Sequence, residues 1–174
     1  MRIEPVELVE VELENDPTTP KTRWSIHRLS YSEARQVEAQ VGPRPVQAFF
    51  VYGKVHPTRS REEIEAEKAL PKDEQKRLIA ERIDAAMARL AELSAEERAA
   101  YDIAIDWFER YDFAVCRAGI AKVDGSPVDD VGRLLDEMRP VESVRVVVGE
   151  LAGKIAKLAE IDAEKKELSP SPPG

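Results

Sequence analysis

Apolar and polar residues alternate at the start of the chain. In Val6–Glu14 (VELVEVELE), apolar and acidic residues alternate with one slip, and this period of two is typical of a half-buried strand. Thr22–Ser30 (TRWSIHRLS) is a second strand candidate, with Trp24 and Ile26 on one face. Because the intervening NDPTTPK is rich in turn-forming residues, the pattern predicts a β-hairpin or strand pair over residues 1–30.

Helix signals dominate the rest of the chain. Three serines are each followed three residues later by a glutamate, which is the spacing of a capping box at a helix start. The pairs are Ser30 with Glu33, Ser60 with Glu63, and Ser94 with Glu97. Residues 46–55 (VQAFFVYGKV) suit either a buried strand or a short helix, and the helical surroundings favour the helix. Residues 56–76 are charged and hold two prolines, which predicts an exposed connection with a short helix.

Two long apolar stripes follow the helical period. The first predicts a helix of about twenty residues from Asp73; its members are Leu78, Ile79, Ile83, Met87, Leu90 and Leu93. The second is a seam of alternating three- and four-residue steps, which is a helix-packing pattern. Each stripe faces either the core or a partner helix or segment, and the seam supplies our candidate partner-binding residues. These are Val141, Val144, Val148, Leu151, Ile155 and Leu158.

The stretch GIAKVDGSPVDD, residues 119–130, combines three acids, two glycines and a proline. The acids do not have the ligand spacing of a calcium loop, so a junction between two helices explains the composition better. We predict that one helix ends at a left-handed glycine, that a tight turn follows, and that a serine caps the next helix with proline as its first residue. The predicted turn and cap residues are Gly119, Asp124, Gly125, Ser126 and Pro127.

Composition narrows the classes of partner. Lysine and arginine total 26 against 34 aspartates and glutamates, so the net charge of -8 does not favour a nucleic-acid partner. No stretch approaches the roughly 18 uninterrupted apolar residues of a membrane span.

The single cysteine, Cys116, excludes an intrachain disulfide framework and is consistent with a reducing cytoplasm.

Candidate chemistry is sparse. His27 and His56 have no nearby cysteine, so a zinc site would need carboxylates from elsewhere, and we expect surface histidines. Cys116 lies in an apolar helix and is expected to be a buried small hydrophobe rather than a nucleophile. The phosphate-loop, dinucleotide and nucleophile-elbow motifs do not occur. We therefore expect no enzyme, no catalytic or metal site and no cofactor.

Taken together, these patterns predict an α+β protein that is predominantly α-helical, with the strand pair followed by about five or six helices. We predict a single domain over residues 1–168, in which residues 31–168 form the helical part with the charged connection at 56–76. Residues 169–174 (SPSPPG) are predicted to be a flexible tail.

Three stretches follow one another in a characteristic order: TRWSIHRLSYSEARQV, RAGIAKVDGSPVDD and VESVRVVVGELAGKIAKLAEIDAEKKELSPSPPG. The order of these features resembles that of bacteriophage tail assembly chaperones. The charged insertion at 56–76 departs from the family pattern. The resemblance implies a non-enzymatic protein of the host cytoplasm that binds tape measure and tail tube proteins and keeps them soluble until a tail forms.

A second class of function stays open. A virion structural protein, such as a head-to-tail connector or tail accessory component, would use the same strands and helices to contact neighbouring virion subunits. A homo-oligomer is compatible with either interpretation, and neither involves nucleic acid or a membrane.

Overall fold

The computed structural model describes residues 7–16, 20–137 and 141–168. Within these ranges the strands are β1 (Val9–Glu12), β2 (Arg23–Ile26), β3 (Ile120–Val123) and β4 (Ser126–Pro127). The helices are α1 (Tyr31–Val41), α2 (Val46–Val55), α3 (Arg61–Lys68), α4 (Lys72–Ala91), α5 (Ala95–Gly119), α6 (Val131–Glu137) and α7 (Val141–Leu168). The protein is therefore α+β and predominantly helical, as predicted. The start of the predicted first strand at Val6 and the predicted tail at 169–174 lie outside the described residues.

The predicted strand pair forms, and it belongs to a larger sheet. β1 and β2 are antiparallel, with Val11 opposite Trp24, and the sheet continues in the order β1-β2-β3-β4. β3 pairs with β2 antiparallel, with Trp24 opposite Val123, and the register shifts between Ser25 and Ile26. All of Trp24, Ser25 and Ile26 are buried, so both faces of this short central strand are covered.

All three predicted capping boxes are present. In each, the serine N–H donates to the glutamate Oε2, and the glutamate N–H donates to the serine Oγ. These bonds satisfy amides that would otherwise lack an intrahelical partner. They open α1, α3 and α5 at Ser30, Ser60 and Ser94. Residues 46–55 form α2, so the helical interpretation of this stretch is confirmed.

The chain divides into two compact units. Unit 1 comprises residues 1–43 and 108–174, and unit 2 comprises the intervening residues 44–107. Helix α5 contributes its first half to unit 2 and its second half to unit 1. The single domain predicted for residues 1–168 stays a prediction.

Unit 1 holds most of the core. Its fully buried larger side chains come from β2, from the residue after β1, from α5 and from the last two helices. They include Leu13, Trp24, Ile26, Cys116, Leu135, Val147, Leu151 and Ile155. Gly119, the last residue of α5, lies directly against α7: a Cβ built on it would be 2.7 Å from Ile155 Cδ1. The two helices approach closely because that position carries no side chain.

Unit 2 has a much smaller core. Among the described residues its buried apolar side chains are Ala48, Val51 and Val55 of α2 and Ala104 of α5. Neither α3 nor α4 contributes a buried residue. The twenty-residue α4 therefore has an apolar stripe, as predicted, but keeps much of it in contact with solvent.

Candidate functional site

The seam proposed for partner binding lies on α7 within unit 1. Val148, Leu151 and Ile155 are buried, and Val144 and Leu158 are half-buried. The side chain of Val141 lies outside the described part of the structure. The three buried side chains are core residues of unit 1 and are therefore not accessible for partner binding, whereas a partner role of the other seam residues stays a prediction. The alternative weighed for this seam, packing against its own core, accounts for them.

Four of the five predicted turn and cap residues, from Asp124 to Pro127, lie in a β-hairpin formed by β3 and β4. Asp124 and Gly125 make the turn, with φ of 49° and 81°, and this pair of left-handed residues suits a type I′ hairpin. Asp124 is tied to β2, since its Oδ1 accepts a bond of 2.9 Å from Arg23 N. The tight-turn prediction is thus confirmed, whereas the helix-cap prediction is wrong because Ser126 and Pro127 form β4, paired with β3.

The cap of α6 is a different residue. Asp130 Oδ1 accepts a hydrogen bond of 3.0 Å from Arg133 N, as an N-cap side chain does, and α6 begins at Val131. Gly119 does not have the positive φ that the prediction gave it, since the glycines with positive φ in the described ranges are Gly42 and Gly125. Its role is the close approach of Ile155.

The residues considered for metal or nucleophilic chemistry lie apart. Cys116 is fully buried, its Sγ donates to the Val148 carbonyl at 3.4 Å, and burial raises its pKa to about 12. His27 Nδ1 lies 2.9 Å from the carbonyl oxygen of Arg28, next in the chain. Across the described residues, no group of three or more histidine, cysteine or acidic side chains is placed to hold a metal ion.

Unit 2 contains a groove of about 470 Å³. The end of α2 and the following residues form one wall, and α4 forms the other. We call this the α4 groove. Its volume lies within the usual range of ligand sites. The apolar residues that line it are Val55, Pro57, Leu78, Ile79, Ile83, Ala85 and Ala86.

The charged residues of the α4 groove are mostly basic, in a protein whose net charge is -8. Arg59, Arg82 and Arg89 line it together with Glu81. Arg59 and Arg82 both bond to Glu67 of α3, with 2.8 Å between Arg82 Nη2 and Glu67 Oε1, and the hydrogen bond from Arg82 is the main cause of a lowered Glu67 pKa. These two arginines are therefore neutralised in part within unit 2.

Arg89 is bound differently. Its Nη1 donates to the Val55 carbonyl oxygen at 3.2 Å, and it makes no ion pair with a carboxylate in the described part of the chain. It lies in the last turn of α4, where a positive charge also opposes the helix dipole favourably. The guanidinium thus keeps donors that can bind a carboxylate from outside the protein.

An aromatic cluster borders the same end of the groove. His56 Nε2 lies 2.8 Å from the Tyr101 hydroxyl oxygen, and the ring of Tyr52 stacks on that of Tyr101 with centroids 5.8 Å apart. Burial lowers the pKa of His56, and the charge of Arg89 lowers it further. The imidazole is consequently neutral at pH 7 and leaves Arg89 as the charge at this end of the groove.

Sequence reasoning identified the apolar stripe of α4 as a candidate docking face but did not connect it with the arginines. Arg82 and Arg89 are seven residues apart and so occupy the same side of a helix, which is a signal that spacing could have supplied. The contributions of Val55 and Arg59, in contrast, depend on how α2 and the connection after it fold against α4.

Comparison of the chain with protein-family models, with curated proteins and with solved structures finds no significant match. Among the described residues, no helix is both long and apolar enough to cross a membrane.

Proposed function

We propose that this protein is a non-enzymatic bacteriophage assembly protein, a tail assembly chaperone that binds tape measure and tail tube proteins in the host cytoplasm. The proposal starts from the sequence resemblance of the three stretches described above. The structural observation that supports it best is the exposed apolar face of α4 beside its groove. Ile79, Ile83 and Met87 are 45%, 57% and 60% exposed on this helix.

Single exposed apolar side chains are common on protein surfaces, but a row of them on one helix beside an apolar groove is a feature of interaction sites. A chaperone of this type must cover apolar surface on a client and release it later. A surface made of side chains that are not needed in the chaperone's own core meets that requirement. Helix α4 supplies such side chains, since none of its residues is buried.

The acidic charge also fits the proposed role. A net charge of -8 on 174 residues disfavours association between copies of a complex and supports solubility while an aggregation-prone client is held. The groove itself is locally basic, so the client-binding face and the remaining surface differ in charge.

Co-expression with clients tests this function. The chain is produced together with the tape measure protein and, separately, with the tail tube protein encoded by the same phage, and the soluble fraction of each client is measured. We expect the soluble fraction to rise and the client to copurify. Replacing Ile83 by aspartate should remove this effect, whereas the same change at Ile103, which is 54% exposed on α5 and outside the groove, should not.

Mass spectrometry of purified virions separates the two classes of function. A transient chaperone should be absent from mature particles. Stoichiometric presence in virions would contradict the chaperone proposal and favour a structural role with neighbouring virion subunits as partners. Failure of both clients to copurify would also contradict it.

A further inference from the structure

The apolar floor of the α4 groove has the geometry of a helix-binding surface. Ile79, Ile83 and Ala86 are spaced by four and three residues and therefore share one face of α4. At 1.5 Å per residue this row is about 10 Å long, or two turns of helix. Val55 and Pro57 form the facing wall. An occupant must therefore present a short, straight row of apolar side chains.

The backbone requirement selects a helix over a strand. The α4 wall is a helix whose interior amides and carbonyls are already bonded to each other. In the facing wall the Val55 carbonyl already accepts from Arg89, the His56 N–H donates to the Tyr52 carbonyl, and Pro57 has no N–H. An extended segment in such a groove would lose water from its own N–H and C=O groups without gaining bonds in return. A helical segment satisfies these groups internally and can present apolar side chains at i, i+4 and i+7.

The charge of the occupant follows from Arg89. Arg59 and Arg82 already bond to Glu67, whereas Arg89 makes no ion pair among the described residues and donates one bond to the Val55 carbonyl. A carboxylate at the end of the occupant's apolar row could accept from the remaining donors of this guanidinium. A lysine or arginine there would instead meet like charge.

We infer that the α4 groove binds an amphipathic helix of a partner protein that carries an apolar row and a carboxylate directed at Arg89. This inference rests on the proposed function only for the identity of the partner, since the chemistry of the segment follows from the groove. Arg89 is then the residue that selects acidic over basic segments. The apolar floor of the groove, formed by Ile79, Ile83 and Ala86, contacts apolar side chains of any sequence that has the right spacing.

Synthetic peptides test the inference on the whole chain. The probe is an end-blocked helical peptide of about 18 residues, long enough to be partly helical alone, with leucines at i, i+4 and i+7 and flanking glutamates. A second peptide has lysine in place of every glutamate. Binding is measured by fluorescence anisotropy, and the site is mapped from amide chemical shifts. We expect saturable binding of the acidic peptide with shifts at residues 55–59 and 78–89, and binding of the basic peptide at least about tenfold weaker.

Two variants and two controls isolate the contacts. Arg89→Met retains the apolar stem and removes the charge, and should weaken the acidic peptide about tenfold. Arg98→Met is the matched control, because Arg98 also donates to a backbone carbonyl in unit 2, that of Leu90 at 2.7 Å, but does not line the groove. Ile83→Ala should weaken both peptides, and Ile103→Ala should weaken neither.

The outcomes separate this inference from the proposed function. Equal affinity for the two peptides, unchanged affinity of Arg89→Met, or shifts confined to other residues would overturn the inference even if phage clients copurify with the chain. Selective binding of the acidic peptide in the groove, together with failure of tape measure and tail tube proteins to copurify, would uphold it and contradict the proposed function. The peptide comparison uses the unaltered chain, so it stands even if a variant folds poorly.

Discussion

Replacing Gly119 by alanine probes the close approach of α5 and α7 in unit 1. An added Cβ would lie 2.7 Å from Cδ1, 2.9 Å from Cγ2 and 3.1 Å from Cγ1 of Ile155. Favourable carbon–carbon contacts lie near 3.5–4.0 Å, so all three distances are too short. Ile155 is only 1% exposed, and a β-branched side chain on a helix strongly prefers one χ1 rotamer. Because both γ carbons are close, rotation about χ1 cannot relieve the clash.

The expected cost is that of overpacking a core. Such changes destabilise by about 1–3 kcal/mol. The gain in helix propensity from glycine to alanine offsets at most about 1 kcal/mol of this, and less at the end of a helix. We therefore expect Gly119→Ala to lower the free energy of unfolding by about 1–2 kcal/mol. Urea denaturation followed by circular dichroism should show a lower midpoint at an unchanged slope.

Two comparisons make the cause specific. Gly153 lies in α7 with nothing within 4 Å of a built Cβ, so Gly153→Ala should raise stability by up to about 1 kcal/mol. Ile155→Ala removes all three clashing atoms and should itself cost about 2–5 kcal/mol. Adding Gly119→Ala to that variant should then cost little, giving a coupling energy of about 1 kcal/mol or more. If Gly119→Ala is as stable as the parent, or its cost is the same with and without Ile155, the steric reasoning is refuted.

Three further predictions concern single side chains. Burial raises the pKa of Asp112 to about 6, above its usual 3.8, so the free energy of unfolding should fall as pH rises from about 4 to 6 and stay lower above that. Asp112→Asn should therefore stabilise the protein by about 1 kcal/mol at pH 7, a figure discounted for the partial exposure of the side chain, and should not stabilise it at pH 3.5. Equal effects of the substitution at the two pH values would contradict this reasoning. Ser94→Ala removes the cap bond to Glu97 N and should cost about 1 kcal/mol in urea unfolding, with no change counting against the cap. Cys116 should react with a thiol reagent only on unfolding, and rapid labelling of the native protein would contradict its burial.

Local signals in the sequence were sufficient for the starts of three helices. The serine–glutamate pairs at Ser30, Ser60 and Ser94 each open a helix, because both partners of a capping box lie within four residues of each other. The period of two around Val9–Glu12 likewise predicted β1. A capping box depends on bonds between near neighbours in the chain, and so it can be recognised before the fold is known.

The two strands that flank the Asp124–Gly125 turn could not be predicted by local reasoning. Ile120–Val123 becomes a strand because it pairs with β2, about a hundred residues earlier in the chain. The Asp124 bond to Arg23 spans 101 positions. Taken alone, the sequence SPVDD has the signals of a helix start, and Asp130 does cap α6 a few residues later. Pairing of β4 with β3, which is itself paired with the distant β2, overrode the local preference at Ser126 and Pro127.

Only the tertiary structure determined which of the two apolar stripes is buried and which is exposed. Helical periodicity in the sequence established that α4 and α7 each carry an apolar face. It could not establish which face would be covered, because burial depends on what folds against a helix and not on its own pattern. Val148, Leu151 and Ile155 of α7 are buried in unit 1, where Cys116 and Gly119 of α5 lie against Val148 and Ile155. The small core of unit 2 leaves Ile83 and Met87 of α4 in solvent, where a partner can reach them.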